Sequence, residues 1–246
     1  MGHLLYELGG NNRLNKYILK AQRFIKDPHF PYLLDNKLKK WLRPGYPYLY
    51  RAIRYGKFDI NTREYWNEIW KNEGSSSWRD YEKIYSKIIE IIPQRSKVLD
   101  VGCGMGVLLN RVKNEKEAKV YGIDISRIAI EKLYQRGLYG QVSMLPFLGL
   151  KDETFDVAVG TELLEHLKNP ERGIKEICRV VRSNGLMIFT VPDNCMGIKD
   201  ADDHLHQYNQ NTFQEIMKKF GELIFFDSIT DTGGPHLVAV INNFKH

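Results

Sequence analysis

From residue 80 onward, apolar and polar positions switch repeatedly between two periods. Tyr81, Ile84, Tyr85, Ile88 and Ile91 fall three or four apart and stop at Pro93, which predicts an amphipathic helix over 80–92. Short apolar runs follow at 97–101, 119–124, 140–143, 155–161, 185–191, 222–228 and 236–242, each the length of a buried strand. Helical patterns separate them at 106–116, 126–136, 170–182 and 211–220. Ser126 and the pair Asn169–Pro170 are helix-start signals, and Gly185 follows the last turn of the 170–182 segment. Strands alternating with helices predict an α/β domain with helices on both faces of a mostly parallel, seven-stranded sheet. The late pairing of Leu223–Phe226 with Leu237–Ile241 predicts a terminal antiparallel hairpin.

The first quarter of the chain follows another pattern. Leu14, Tyr17, Ile18, Ala21, Phe24 and Ile25 recur at helical spacing over 11–26, with Arg13, Lys16, Lys20 and Arg23 on another face and Asp27–Pro28 as the stop. A second helix is expected over 32–42, and Arg43-Pro44-Gly45-Tyr46-Pro47 breaks the chain. Residues 1–57 hold 12 Lys/Arg against 3 Asp/Glu, whereas the remainder holds 24 against 27, so the net +6 belongs to the extension. The expected organisation is a basic helical N-terminal extension, 1–57, followed by the α/β domain, 58–246. A basic amphipathic helix at 11–26 suits peripheral contact with an anionic membrane surface, or equally a cap with a solvated face. Residues 62–73 form an aromatic helix (Tyr65, Trp66, Trp70), and 74–77 a Gly-Ser hinge.

Composition narrows the class. A chain of 246 residues that is 43% hydrophobic can bury one sizeable core and carry an extension. No apolar run reaches the roughly 18 residues of a membrane span, and no signal-type segment stands near Met1, so a cytoplasmic location is expected. Cys103, Cys178 and Cys195 are odd in number and lack C-x-x-C spacing, which argues against a disulfide framework or structural zinc.

The chemistry concentrates after the first strand. Val98-Leu99-Asp100-Val101-Gly102-Cys103-Gly104-Met105-Gly106 is a strand ending in an acid and a glycine turn. Val107 stands where a dinucleotide fingerprint needs its third glycine, and Asp100 would repel a pyrophosphate but suit a cationic ligand. Val120-Tyr121-Gly122-Ile123-Asp124 ends in a second acid, one helix and one strand later. Leu145-Pro146-Phe147, Phe155–Val159 and Glu162–His166 follow, then Arg179–Val181 and Gly185–Pro192.

These elements, in this order, resemble the class I S-adenosylmethionine-dependent methyltransferases, from about residue 60 to the C-terminus. The resemblance implies a Rossmann-like fold and S-adenosylmethionine as cofactor. Asp100, Gly102, Cys103, Gly104 and Gly106 would lie around its methionine and ribose, and Asp124 would accept from the ribose hydroxyls. Ile125 would pack on the adenine, with Val142 and Ser143 contacting its edge and Thr161 and Glu162 closing the cofactor site. One departure stands out: Gln141-Val142-Ser143-Met144 lacks the acid that many relatives place before Leu145-Pro146-Phe147.

His166, His206 and His204 are the candidate catalytic residues, because an imidazole titrates near operating pH. A metal set from Asp202, Asp203, His204 and His206 is weaker, and no metal is expected. Gly160-Thr161-Glu162-Leu163 is not the D/N-P-P-Y/F/W tetrapeptide of base N-methylation, and no Pro-Cys nucleophile is present. The expected acceptor is therefore a small molecule bearing a hydroxyl, such as a sugar, polysaccharide intermediate or quinone precursor, rather than nucleic acid. Two alternatives stay open: an RNA-associated methyltransferase using the basic extension, and an inactive methyltransferase-like scaffold.

Overall fold

The computed structural model describes residues 61–72, 81–193, 203–231 and 234–244. The basic extension 1–57 with its two expected helices, the expected domain boundary that follows it, and the expected 74–77 hinge lie outside these residues. The elements are α1 (Arg63–Asn72), α2 (Glu82–Ile91), β1 (Lys97–Val101), α3 (Val107–Lys116), β2 (Lys119–Asp124), α4 (Arg127–Gln135) and β3 (Gly140–Val142). They continue with β4 (Phe155–Thr161), a 3-10 turn (Leu164–His166), α5 (Pro170–Val180), β5 (Val181–Pro192), α6 (Gln210–Lys218), β6 (Glu222–Asp231) and β7 (Gly234–Asn242). Among the described residues, no helix is long and apolar enough to cross a membrane.

The seven strands form one sheet in the order β3-β2-β1-β4-β5-β7-β6. Pairings through β5 are parallel, and β7 runs antiparallel to both β5 and β6. The expected hairpin is present, with Leu223 opposite Ile241 and Phe226 opposite Ala239. Because β1 lies between β2 and β4, the strand order reverses there, and the crevice beyond the carboxyl ends of β1 and β4 is where such sheets take ligands.

The inner strands β1, β4 and β7 are largely apolar because both their faces are buried, whereas the edge strand β6 keeps polar, exposed positions along its length. Successive residues point to opposite sides: Leu99, Ala158, Met187, Phe189 and Ala239 join one core with Ile174 and Ile177 of α5 and Phe213 and Met217 of α6. Val98, Val157, Val159, Ile188 and Val240 join the other, with Ile84 and Ile88 of α2 and Leu108 and Val112 of α3. The expected caps form: Ser126 accepts from Ala129 N, and Asn169 accepts from Arg172 N with Pro170 opening α5. Helix α2 has no side-chain cap of its own. Asp231 at the end of β6 takes the amides of Lys83 and Ile84 instead, at 2.7 and 3.0 Å.

The junction of α5 and β5 differs from the expected one. Helix α5 stops at Val180 rather than 182, and β5 begins at once with Val181 paired to Phe155. Two adjacent β-branched residues favour the extended form, and the Asn243 amide donates to the carbonyls of Cys178 and Val181 at this junction.

Candidate active site

The sheet's first turn is held from its neighbour. Gly102 N and Cys103 N both donate to Ile123 O, at 2.7 and 2.9 Å, and Gly104 N donates to Asp124 Oδ2 at 2.9 Å. Asp124 Oδ1 accepts from Ser126 N at 2.8 Å, so one carboxylate fixes both the loop and the start of α4. Gly104 and Gly106 need to be glycine, with φ of +50° and +75°. A β-carbon at Gly104 would stand 2.5 Å from Trp70 Cη2, and one at Gly106 would stand 2.5 Å from Leu133 Cδ1.

Two acids end the neighbouring strands β1 and β2, and both are buried. Asp100 is 1% exposed, and its Oδ1 has no hydrogen-bond partner. Burial, and then the charge of Asp124, push its carboxyl up to about 7. A buried carboxyl with an unused oxygen, beside a second acid and a left-handed glycine turn, suits a ligand that carries both a cationic group and a diol. Cys103 turns into the core instead: a β-carbon at Gly122 would meet its sulfur at 2.7 Å. Burial and the two acids hold its thiol well above its ordinary range.

Helix α1 lies against this loop. Trp66 and Trp70 pack with Met105 and Ala129, and Ile125 joins that cluster. Asn67 Oδ1 accepts from Ser126 Oγ at 2.7 Å, and Lys132 Nζ donates to Trp70 O. On the β3 side, Ser143 Oγ donates to Phe147 O at 2.8 Å and Gln141 Nε2 to Leu148 O at 2.7 Å. Both side chains that could replace the missing adenine-side acid are thus committed to main-chain carbonyls. Val142 stands opposite Asp124 in the sheet.

Beyond β4 the chain gathers titratable groups. Thr161 pairs with Thr190 at the end of β4, and Glu162 follows it at φ +49°. Glu162 Oε1 accepts from Thr190 Oγ1 at 2.8 Å, and its Oε2 from His236 Nδ1 at 3.0 Å. His166 donates from Nδ1 to Asp203 O at 3.1 Å. A carbonyl can only accept, so Nδ1 carries the proton and Nε2 is the basic nitrogen of the neutral ring. Trp66 meets the His166 ring edge-on at 5.0 Å, and His204 does so at 4.9 Å.

The alternation at His204 and His206 splits them. His204 is buried beside His166, whereas His206 Nε2 donates to Leu167 O at 2.8 Å and ties down the 3-10 turn. Glu165, His166 and His204 have donor atoms within 4.8 Å of one another, a carboxylate and two imidazoles that could hold a divalent cation. Of the four-residue metal set read from sequence, Asp202 lies outside the described residues and His206 is engaged elsewhere. Tyr208, from the same loop, has a buried hydroxyl, and burial and then Glu165 and Glu171 raise its titration. His236 escaped the sequence reading. It sits 74 residues from Glu162, in a strand that reads only as core.

The strand order, the antiparallel return and the acid-flanked glycine loop together define a Rossmann-like methyltransferase domain. The methyltransferase-domain family matches residues 69–228. The chain belongs to the class I S-adenosylmethionine-dependent methyltransferases, and S-adenosylmethionine is its cofactor. An uncharacterized protein of Methanocaldococcus jannaschii is 31% identical over 169 residues, 65% of this chain and 62% of that protein. A ubiquinone biosynthesis O-methyltransferase of Pseudomonas fluorescens is 31% identical over 132 residues, 46% of this chain and 56% of that one. The chain thus aligns with little more than half the length of these relatives. The N-methyltransferase NodS of Bradyrhizobium japonicum, solved with S-adenosylhomocysteine, shares the fold at 17% identity, with a TM-score of 0.63 over 75% of this chain and 100% of that one.

Proposed function

We propose that the chain is an active methyltransferase whose acceptor is a small molecule presenting a hydroxyl, and that His166 is the general base. When bound, the cofactor supplies a methyl group on a sulfonium centre; the protein aligns the acceptor oxygen and takes its proton. Asp124 holds the ribose hydroxyls, and Asp100 with the Gly102–Gly106 turn holds the methionine end. Ile125 packs on the adenine, and the main chain at Val142 and Ser143 meets its edge. Thr161 closes the site from β4.

The observation that carries the base assignment is the Nδ1 hydrogen bond of His166 to Asp203 O, which leaves Nε2 as the proton acceptor. The ubiquinone biosynthesis O-methyltransferase likeness favours oxygen as the atom methylated. The test is a screen of sugar and phenolic hydroxyls, followed by His166→Ala with the acceptor found. S-adenosylhomocysteine affinity should stay within about twofold while turnover falls by roughly 10²- to 10⁴-fold. Turnover at the wild-type rate would remove His166 from the role.

A cation-assisted route is the second reading, favoured by the 4.8 Å grouping of Glu165, His166 and His204. A cation there lowers the hydroxyl pKa in place of a base. Turnover that survives exhaustive EDTA treatment supports His166 as base. Loss that is restored by added Mg²⁺, Mn²⁺ or Zn²⁺ supports the cation.

A further inference from the structure

Glu162 is the first residue past β4, and its left-handed backbone is a conformation that side chains with a β-carbon rarely adopt. Two neighbouring strands, β5 and β7, secure it. Its N–H donates to Thr190 O at 3.1 Å, Thr190 Oγ1 donates back to its carboxylate, and His236 of β7 donates from Nδ1 to the other oxygen. His236 is 2% exposed and packs edge-on to Tyr81 at 5.2 Å. Burying a carboxylate with an imidazole stabilises a fold no better than an apolar pair of similar volume, so stability does not account for the choice.

What the turn accomplishes lies in the next four residues. Leu163 lies against Gly102, where a β-carbon would stand 3.1 Å from Leu163 Cδ1. His166 N then donates to Leu163 O at 3.1 Å, closing the turn that carries Glu165 and His166. The chain direction set at Glu162 therefore places one side chain on the cofactor loop and starts the turn that bears the base.

We infer that His236 is a positioning residue for methyl transfer. Through Glu162 it holds the end of β4 so that Leu163 seats the glycine loop and the 164–166 turn presents His166. The inference rests on the reading of that loop as the cofactor site. It also assigns Glu162 an indirect part, since His236 and Thr190 occupy its carboxylate.

The experiment compares His236→Leu, which removes the donor, with His236→Asn, whose amide restores an N–H where Nδ1 stood. Both are made in the full chain and titrated calorimetrically with S-adenosylhomocysteine. His236→Leu should bind about tenfold or more weakly, and His236→Asn within about threefold of wild type. A purely structural histidine gives another pattern: both variants melt earlier and both keep wild-type affinity. That result, or equal weakening in both, overturns the inference. Should His236→Leu fail to fold, nitrogen-15 spectra of the wild type decide. Saturation with S-adenosylhomocysteine should shift the His236 ring signals together with the Gly102 and Gly104 amides, and an unmoved His236 overturns the inference. Wild-type protein that binds no S-adenosylhomocysteine defeats the cofactor reading itself, and this inference with it.

Discussion

A carboxylate that accepts two main-chain amides keeps its charge and its direction together, and Asp124 does so with Gly104 and Ser126. Asp124→Asn leaves the shape but removes the charge, and hydrogen bonds to charged groups carry about 1.5–3 kcal/mol. S-adenosylhomocysteine affinity should fall roughly 10- to 100-fold by calorimetry; unchanged affinity removes Asp124 from the ribose. Asp100 gives a pH signature instead. Its folded pKa of about 7 lies above the ordinary carboxylate value of 3.8, so the folded protein keeps a proton that the unfolded chain releases. Its contribution to stability is therefore greatest at low pH and declines as pH rises through the window between those values. A cationic ligand favours the ionised form, so binding below about pH 7 expels a proton and affinity climbs from about pH 5.5 to 7.5. Calorimetry in buffers of different ionisation heat measures that proton, and a flat profile separates Asp100 from the ligand's cation. The places of both acids were legible in sequence, because an acid closing a hydrophobic run marks where a buried strand ends. His236 was not, because only the antiparallel return of β7 brings it to Glu162.

At the scale of elements, α1 and the glycine loop depend on each other. Gly104 at φ +50° leaves room for the Trp70 ring, and a β-carbon would stand 2.5 Å from it. Gly104→Ala combines a left-handed alanine, about 1–2 kcal/mol, with overpacking of about 1–3 kcal/mol. Chemical denaturation should read a loss within the sum of those ranges. Adding Trp70→Ala should relieve only the packing part, so the double-mutant cycle gives a coupling of about 1 kcal/mol or more. Additive effects would mean that the ring yields freely. Aromatic residues at helical spacing announced α1, but sequence spacing says nothing of which loop those rings cover. The end of α5 was misplaced for a related reason. Helical periodicity carries through Val180 and Val181, and only pairing of Val181 with Phe155 turns the second valine into strand.

The whole molecule answers a ligand through linkage. The glycine loop after β1 is bonded to β2, Leu163 joins it to the end of β4, and His236 and Asp231 tie the C-terminal hairpin to β4 and α2. The seven strands and the terminal hairpin were readable from alternation and pattern, whereas the strand order and the cross-chain ties that stiffen it were not. A ligand that binds only the folded state at a hundred times its Kd adds about 2.7 kcal/mol. For a domain of this size each kcal/mol moves Tm by about 2–4 °C. Saturating S-adenosylhomocysteine should therefore raise Tm by roughly 5–10 °C, with NAD at equal concentration leaving it unchanged. The shift should shrink in Asp124→Asn and in His236→Leu and persist in His166→Ala, because only the first two act on cofactor binding. If His166→Ala also loses the shift, the base and the cofactor loop form one binding unit, and the division of labour between the two sides of the crevice is wrong.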